Sequence, residues 1–143
     1  MNKLNNNSDL DVTLIKHYIK DLSFENPQSM NDNKAEYNNN HNISADINIT
    51  LKPLEKDFFS LTFKYSCECS SKINKQKLFL LELEYFGFFK IVSNIKSISQ
   101  DELTKRGAQL IFPFVKSIVE DLSAKGGSIP ITLEVTDFDL IKV

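Results

Sequence analysis

The chain has 143 residues, of which 41% are hydrophobic and 25% charged, a length and composition typical of one folded domain. Its net charge of −2 gives no electrostatic reason to expect nucleic-acid binding. Residues 1–9 contain neither an apolar core nor a small-residue cleavage site, and no segment reaches the ~18 apolar residues of a membrane span. We therefore expect a cytoplasmic protein without a signal peptide or membrane insertion, and its two cysteines fit a reducing compartment.

Polar sequence is concentrated near the N-terminus. Of the 14 asparagines, 12 lie in the first 50 residues. We predict a flexible tail over residues 1–8 and one domain over residues 9–143, interrupted by a polar loop over residues 28–42 that has no apolar periodicity. A loop of this length in a small domain is often functional or mobile.

Alternation of apolar and polar residues with a period of two predicts four strands. The first covers residues 12–25, with a break in phase before Asp21 that indicates a β-bulge. The other three cover residues 43–51, 59–67 and 78–89. Their consecutive order favours an antiparallel sheet with one buried face.

The period then changes to that of a helix. Ser99 and Glu102 have the spacing of a capping box, and apolar residues recur at helical intervals over residues 103–122. Gly126-Gly127 predicts the end of the helix, and Pro113 inside it predicts a kink. A helix of about 25 residues is roughly 37 Å long, and its apolar stripe is wider than one sheet can cover. The sequence thus predicts an α+β fold, a four-stranded antiparallel sheet followed by a long amphipathic helix, with a second subunit covering the remaining apolar surface.

Residues that could carry catalysis or bind a metal are scarce. There is no glycine-rich phosphate loop and no G-x-S-x-G motif, and His17 and His41 are distant in sequence. Cys67 and Cys69 lie two apart on a predicted strand, about 7 Å from each other, which is too far for a disulfide. They also lack the second pair that a zinc site would need, so we interpret them as structural thiols and expect no cofactor and no metal.

Acidic residues on two strands leave two interpretations open. Carboxylates share one face of the fourth strand and one face of the first, namely Glu82 and Glu84, and Asp21 and Glu25. Paired carboxylates can act in acid–base catalysis, but without an orienting partner a solvated acidic face is the favoured interpretation. Leu78 and Leu80 fall on the same face as Glu82, and an exposed leucine among carboxylates is either a docking patch for a basic partner or an incidental surface.

Residues 18–27 (YIKDLSFENP) have the pattern Y-x-K-D-x-S-F-E-x-P, and residues 79–83 are followed by Gly87-Phe88-Phe89. These two segments resemble the first and fourth strands of the SecB family of protein-export chaperones. Residues 110–114 (LIFPF) resemble the family's I-L-F-P-Y helix motif, which accounts for the proline. Residues 126–130 and 135–138 match its closing segments, so the resemblance covers residues 12–143 apart from the polar loop.

The resemblance implies a non-enzymatic molecular chaperone. SecB proteins are homotetramers, dimers of dimers, in which long helices are sandwiched between two eight-stranded sheets. They bind unfolded preproteins in apolar grooves without ATP, keep them competent for translocation and deliver them to the SecA ATPase of the Sec export pathway. The alternatives are a SecB-like chaperone or binding module with one dedicated client, such as a toxin–antitoxin chaperone, and a small enzyme that uses the carboxylates.

The resemblance also assigns roles to particular positions. SecA's basic C-terminal segment is expected to dock on Asp21, Glu25, Leu80 and Glu82. The client groove is expected to include Ile43, Ala45 and Ile47, with Phe138 and Leu140 as a partial lid. The oligomer interface is expected on one stripe of the helix, formed by Leu110, Phe114, Ile118 and Leu122.

Overall fold

The computed structural model describes residues 12–27, 41–73, 75–92, 98–126 and 130–134. Its elements in chain order are β1 (Val12–Glu25), β2 (His41–Pro53), β3 (Phe58–Ser71), β4 (Lys77–Ile91) and α1 (Gln100–Gly126). The predicted N-terminal tail and most of the predicted polar loop lie outside the described residues. β2 begins at His41, so the last two residues of that loop, His41 and Asn42, belong to the sheet.

The four strands form one antiparallel sheet in the order β1-β4-β3-β2. β1 and β2 are therefore its two edges. The pairing of β1 with β4 shifts between Leu14 and Lys16 and again between Ile19 and Asp21. The second shift confirms the predicted bulge, and it explains how β1 keeps apolar side chains on one face despite its break in phase.

Helix α1 covers one face of the sheet, here called the inner face. Alternate residues of the two central strands are buried beneath it, at 0–5% exposure: Phe59, Leu61, Phe63, Tyr65 and Cys67 of β3, and Phe79, Leu81, Leu83, Tyr85 and Phe89 of β4. From the helix, Ile111, Val115 and Val119 are fully buried. This pattern confirms the predicted α+β fold, in which the period-two stripe of the strands meets the period-3.6 stripe of the helix.

Glycines occupy the points where the helix approaches the sheet most closely. A Cβ atom at Gly107 of α1 would lie 2.3 Å from Cδ1 of Leu61, and one at Gly87 of β4 would lie 2.6 Å from Cδ1 of Ile111. Neither distance is compatible with a side chain unless neighbouring atoms move. The two glycines thus fix how closely α1 lies on β3 and β4.

The ends of α1 are fixed by specific hydrogen bonds. The backbone N–H of Glu102 donates to Oγ of Ser99 at 3.2 Å, which is the first half of the predicted capping box. At the other end, Nδ2 of Asn26 donates to the carbonyl oxygen of Gly126 at 2.6 Å and so joins the helix end to the end of β1. Pro113 lies inside α1 on its exposed side. In the part of the chain that the structure describes, no helix is long and apolar enough to cross a membrane.

Candidate docking surfaces

The four residues predicted to bind SecA lie together on the outer face of the sheet, opposite α1. β1 is adjacent to β4, and the register places Glu25 opposite Leu80 and Asp21 opposite Glu84, with Glu82 between them on β4. Asp21, Glu25 and Glu82 are exposed and Leu80 is half-buried. The strand order therefore assembles one contiguous patch from two segments that are about 60 residues apart in sequence.

Two details of this patch differ from the sequence prediction. Leu78 does not join Leu80 on the surface, because it is only 8% exposed and belongs to the hydrophobic core. The register of β3 and β4 shifts at Cys69/Ser70, beside Leu78, so the simple alternation that predicts an outward side chain is not maintained there. Asp46 of β2, which the sequence analysis did not select, joins the patch from the far edge of the sheet.

This patch, called the acidic surface below, is concave. Asp21, Asp46, Glu82 and Glu84 line a depression of about 350 Å³ together with Asn48, Lys64, Tyr65, Ser66 and Leu83. Nζ of Lys64 contacts Glu84 at 3.0 Å, whereas Asp21, Asp46 and Glu82 have no ion-pair partner among the described residues. Three unpaired carboxylates around one depression produce a negative potential that attracts a cationic partner.

The same depression contains the carboxylates that the enzyme alternative requires. Its geometry nevertheless favours docking over acid–base chemistry. Asp21 and Glu82 are exposed to solvent, and Glu84 is paired with Lys64. A catalytic pair needs a setting shielded from solvent, which exposed side chains do not have.

The predicted groove residues lie on the inner face, at the end of β2 that α1 leaves partly uncovered. Ile43, Ala45 and Ile47 pair across the sheet with Cys69, Cys67 and Tyr65. Ile43 is 44% exposed, Ala45 is exposed and Ile47 is half-buried. This stretch of an edge strand combines apolar side chains with an unpaired backbone edge, which suits an extended polypeptide. Phe138 and Leu140, the predicted lid, lie outside the described residues.

The two cysteines beside this stretch are buried free thiols. Burial raises the pKa of Cys69 to about 11, with a further contribution from the neighbouring Cys67. Burial also raises the pKa of Cys67, partly offset by its hydrogen bond with the Tyr65 hydroxyl. Thiols held protonated in this way are poor nucleophiles, which agrees with a structural role.

The predicted oligomer residues form a partly exposed apolar stripe on α1. Leu110 and Phe114 are each 39% exposed, while Ile118 and Leu122 are half-buried against the core. The ring of Phe114 lies 4.1 Å from that of His17 on β1, and Nδ1 of His17 is hydrogen-bonded to the Tyr85 hydroxyl at 2.5 Å. These contacts join the helix stripe to the edge strand.

The apolar surface extends beyond the predicted stripe onto β1. Ile19 and Leu22 are 45% and 37% exposed, and both point to the inner face, because they pair with Tyr85 and Leu83. Their apolar character is visible in the sequence, but their exposure depends on β1 being an edge strand that α1 covers incompletely. We call Leu110, Phe114, Ile19 and Leu22 the helix-edge surface.

The protein is thus an α+β protein with an acidic depression on the outer face of its sheet and partly exposed apolar residues on the inner face. A family model described as preprotein translocase subunit SecB matches residues 5–141. The protein-export protein SecB of Orientia tsutsugamushi (strain Boryong) is 32% identical over 128 residues, covering 89% of this chain and 78% of that protein. The protein-export protein SecB of Ruegeria sp. (strain TM1040) is 30% identical over 131 residues, covering 89% and 77% respectively.

A solved structure shows the same fold at lower identity. It is a Mycobacterium tuberculosis SecB-like chaperone in complex with a ChAD peptide from the HigA1 antitoxin, and it aligns with a TM-score of 0.68 and 13% identity over 87% of this chain and 90% of that chain. The family match and the curated relatives confirm the resemblance read from the sequence motifs. The chain belongs to the SecB family, whose members are chaperones of preprotein export.

Proposed function

We propose that this protein works in the cytoplasm without catalysis, holding unfolded preproteins and delivering them to SecA. The observation that carries the proposal is the separation of its two kinds of surface. The acidic surface around Leu80 faces outward, and the apolar stretch that includes Ile43 lies on the opposite face of the sheet. A carrier with this arrangement can bind a client and its receiver at the same time, because neither partner covers the other's site.

Client holding follows from apolar contacts and mass action. An edge strand with exposed Ile43 and Ala45 offers backbone hydrogen bonds and shallow apolar contacts rather than a shaped pocket. Each contact is weak, but a client bound at one site of an assembly has a raised effective concentration at the neighbouring sites. A protein that binds the unfolded client and not the folded one shifts the client's folding equilibrium toward the unfolded state.

SecA delivery is proposed to use the acidic surface. Reversing the charges in an Asp21→Lys/Glu82→Lys double variant should abolish the attraction to SecA's basic C-terminal peptide and weaken its binding at least about tenfold. Isothermal titration measures this affinity, and binding of a denatured client should stay unchanged. Glu55→Lys is the matched control, since Glu55 is exposed in the turn between β2 and β3, outside the depression. Equal affinity of the double variant and the control would reject the assignment.

We further propose a homotetramer, built as a dimer of dimers through the helix-edge surface. Light scattering of the native protein should give a mass near four subunits. A Phe114→Asp variant places a charge in the centre of that surface and should lower the mass, because an unpaired charge buried at an interface costs several kcal/mol. The Glu55→Lys variant should keep the native mass. A wild-type mass of one subunit would refute the tetramer.

A dedicated client is the second candidate. It is suggested by the mycobacterial SecB-like chaperone, which was solved with a peptide from an antitoxin. Affinity capture with several denatured secretory precursors separates the two possibilities. Comparable capture of unrelated precursors supports the general chaperone, whereas retention of one cognate partner alone supports the dedicated one.

A further inference from the structure

Charge is segregated along the strands of the sheet. A row of paired residues, Asn48–Lys64–Glu84–Asp21, crosses all four strands and divides them into two halves. Strand residues 21–25, 41–47, 65–71 and 77–84 contain six carboxylates and one lysine, namely Asp21, Glu25, Asp46, Glu68, Glu82, Glu84 and Lys77. Strand residues 12–20, 48–53, 58–64 and 85–91 contain five lysines and no carboxylate, namely Lys16, Lys20, Lys52, Lys64 and Lys90. In the described turn between β2 and β3, at that end of the sheet, lie the two carboxylates Glu55 and Asp57.

Four aromatic rings lie on the outer face of the lysine-rich half. The ring of Tyr18 on β1 lies against that of Phe86 on β4, with centroids 5.0 Å apart and planes tilted by 32°. Phe58 of β3 stacks on Phe88 of β4 at 5.3 Å with nearly parallel planes. Phe86 and Phe88 are two residues apart on one strand, so they share a face about 7 Å from each other. We call these four residues the aromatic surface. Tyr18 is 43% exposed and the three phenylalanines are half-buried, although α1 lies on the other side of the sheet.

Lysines flank this aromatic row at both ends. Nζ of Lys16 lies 5.6 Å from the centroid of Tyr18, and Nζ of Lys90 lies 5.9 Å from that of Phe58. Both lysines are exposed. A contiguous apolar patch that the core does not require, bordered by one sign of charge, is characteristic of a protein-contact surface. The positive border repels a basic peptide and attracts carboxylates.

We propose that the aromatic surface is a second docking surface for unfolded polypeptide, specific for extended segments in which aromatic or large aliphatic residues alternate with Asp or Glu. The proposal rests on the proposed chaperone function and adds a client preference to it. Apolar side chains of the segment contact the rings, and its carboxylates pair with Lys16 and Lys90. The acidic half of the same face stays free for a cationic partner, so client and receiver do not compete for it.

Two unstructured peptides test the charge preference. They share the same alternating Phe and Leu positions and carry either Glu or Lys at the remaining positions. The comparison uses an Asp21→Asn/Glu82→Gln reference protein, because the acidic surface of the wild-type protein would itself bind the Lys peptide. Fluorescence anisotropy at low salt should show that this reference protein binds the Glu peptide more tightly than the Lys peptide. A Phe86→Thr/Phe88→Thr variant, which keeps strand-favouring residues, should weaken binding of the Glu peptide roughly tenfold.

A charge-reversal variant separates docking from a purely structural role of the rings. Lys16→Glu/Lys90→Glu changes two exposed side chains, so circular dichroism and the urea midpoint should stay close to wild type. It should invert the preference, weakening the Glu peptide and strengthening the Lys peptide. Loss of ring packing alone cannot produce this inversion. The matched control is Lys72→Glu/Lys75→Glu, which makes the same change in net charge at two exposed lysines of the β3–β4 turn, at the opposite end of the sheet from the aromatic surface. This control should keep the preference for the Glu peptide.

The outcomes distinguish this inference from the function on which it rests. If the Asp21→Asn/Glu82→Gln reference protein binds both peptides equally, or if the lysine and phenylalanine variants leave binding of the Glu peptide unaffected, the aromatic surface is not a client site. A native mass that falls in the phenylalanine variant shows that a second copy occupies it instead, which also overturns the inference. If denatured client still binds in either case, the chaperone proposal stands. If wild-type protein binds no denatured polypeptide, the chaperone proposal itself fails, and this inference fails with it.

Discussion

Gly107 lies where α1 is closest to β3, and replacing it with alanine should destabilise the protein although alanine is the better helix former. The new Cβ would lie 2.3 Å from Cδ1 of Leu61 and 3.2 Å from Cζ of Phe89. Both neighbours are fully buried and cannot swing into solvent. Overpacking of this kind costs about 1–3 kcal/mol, and alanine recovers about 1 kcal/mol of helix propensity. With a contact this short we expect a net loss of about 1–2 kcal/mol in the free energy of unfolding.

The sign of the effect should reverse when the opposing side chain is shortened. Leu61→Ala alone should cost about 2–5 kcal/mol by opening a cavity in the core. In that background, Gly107→Ala meets no Cδ1 atom, fills part of the cavity and gains helix propensity, so it should stabilise by about 1 kcal/mol. The coupling energy between the two sites should therefore be about 2–3 kcal/mol, as expected for residues in direct contact.

Urea unfolding monitored by circular dichroism measures these differences. All variants should be compared at one protein concentration, because the stability of an oligomer depends on concentration. Ser117→Ala, on the exposed side of the same helix, serves as the control that reports helix propensity without a packing change. A gain of stability from Gly107→Ala in the wild-type background would show that α1 does not approach the sheet as closely as described.

Three further changes test other contacts of the fold. Burial raises the pKa of Cys69 to about 11, so the native state holds that proton more tightly than the unfolded chain does. The resulting contribution to the free energy of unfolding should be complete below pH ~8.5 and decline toward pH 11. The loss of stability between these pH values should be smaller in Cys69→Ala. Native Cys67 and Cys69 should also resist alkylation at pH 8 until urea is added, and rapid labelling without urea would contradict their burial. Ser123→Ala removes the Oγ that accepts the backbone N–H of Ile131 at 2.8 Å, so the urea midpoint should fall by the equivalent of about 1–3 kcal/mol, whereas an unchanged midpoint would mean that this N–H finds another partner. Asn26→Asp replaces the amide donor at the C-terminal end of α1 with a carboxylate, and should cost about 1 kcal/mol at neutral pH but less in acid, where the carboxyl is protonated.

Local pattern predicted the secondary structure closely. The period-two segments correspond to the four strands, including the bulge before Asp21, and the segment between Ser99 and Gly126 is helical. These features depend on neighbours within a few residues, so a single sequence contains the information for them. Alternation gives the wrong face for Leu78. It predicts an outward side chain, but a register shift beside this residue places it in the core.

Family motifs added what periodicity does not contain. Alternation gives the face of the sheet on which Asp21 or Glu82 lies, but it does not tell which strands are neighbours. The resemblance to SecB brought Asp21, Glu25, Leu80 and Glu82 together as one docking patch, and the pairing of β1 with β4 places them side by side. Their binding of SecA remains a proposal with a defined test.

The sequence by itself determined the elements, the apolar face of each strand and the family, because all three are expressed in short segments of the chain. Only the tertiary structure decided that Asp46 joins the acidic depression, that Ile19 and Leu22 extend the apolar surface, and that lysines and aromatic rings share one half of the outer face. Each of these depends on the strand order β1-β4-β3-β2 and on the register of strands far apart in sequence. The physical reason is that backbone pairing between distant segments sets which side chains meet, whereas local alternation sets only the direction in which each one points.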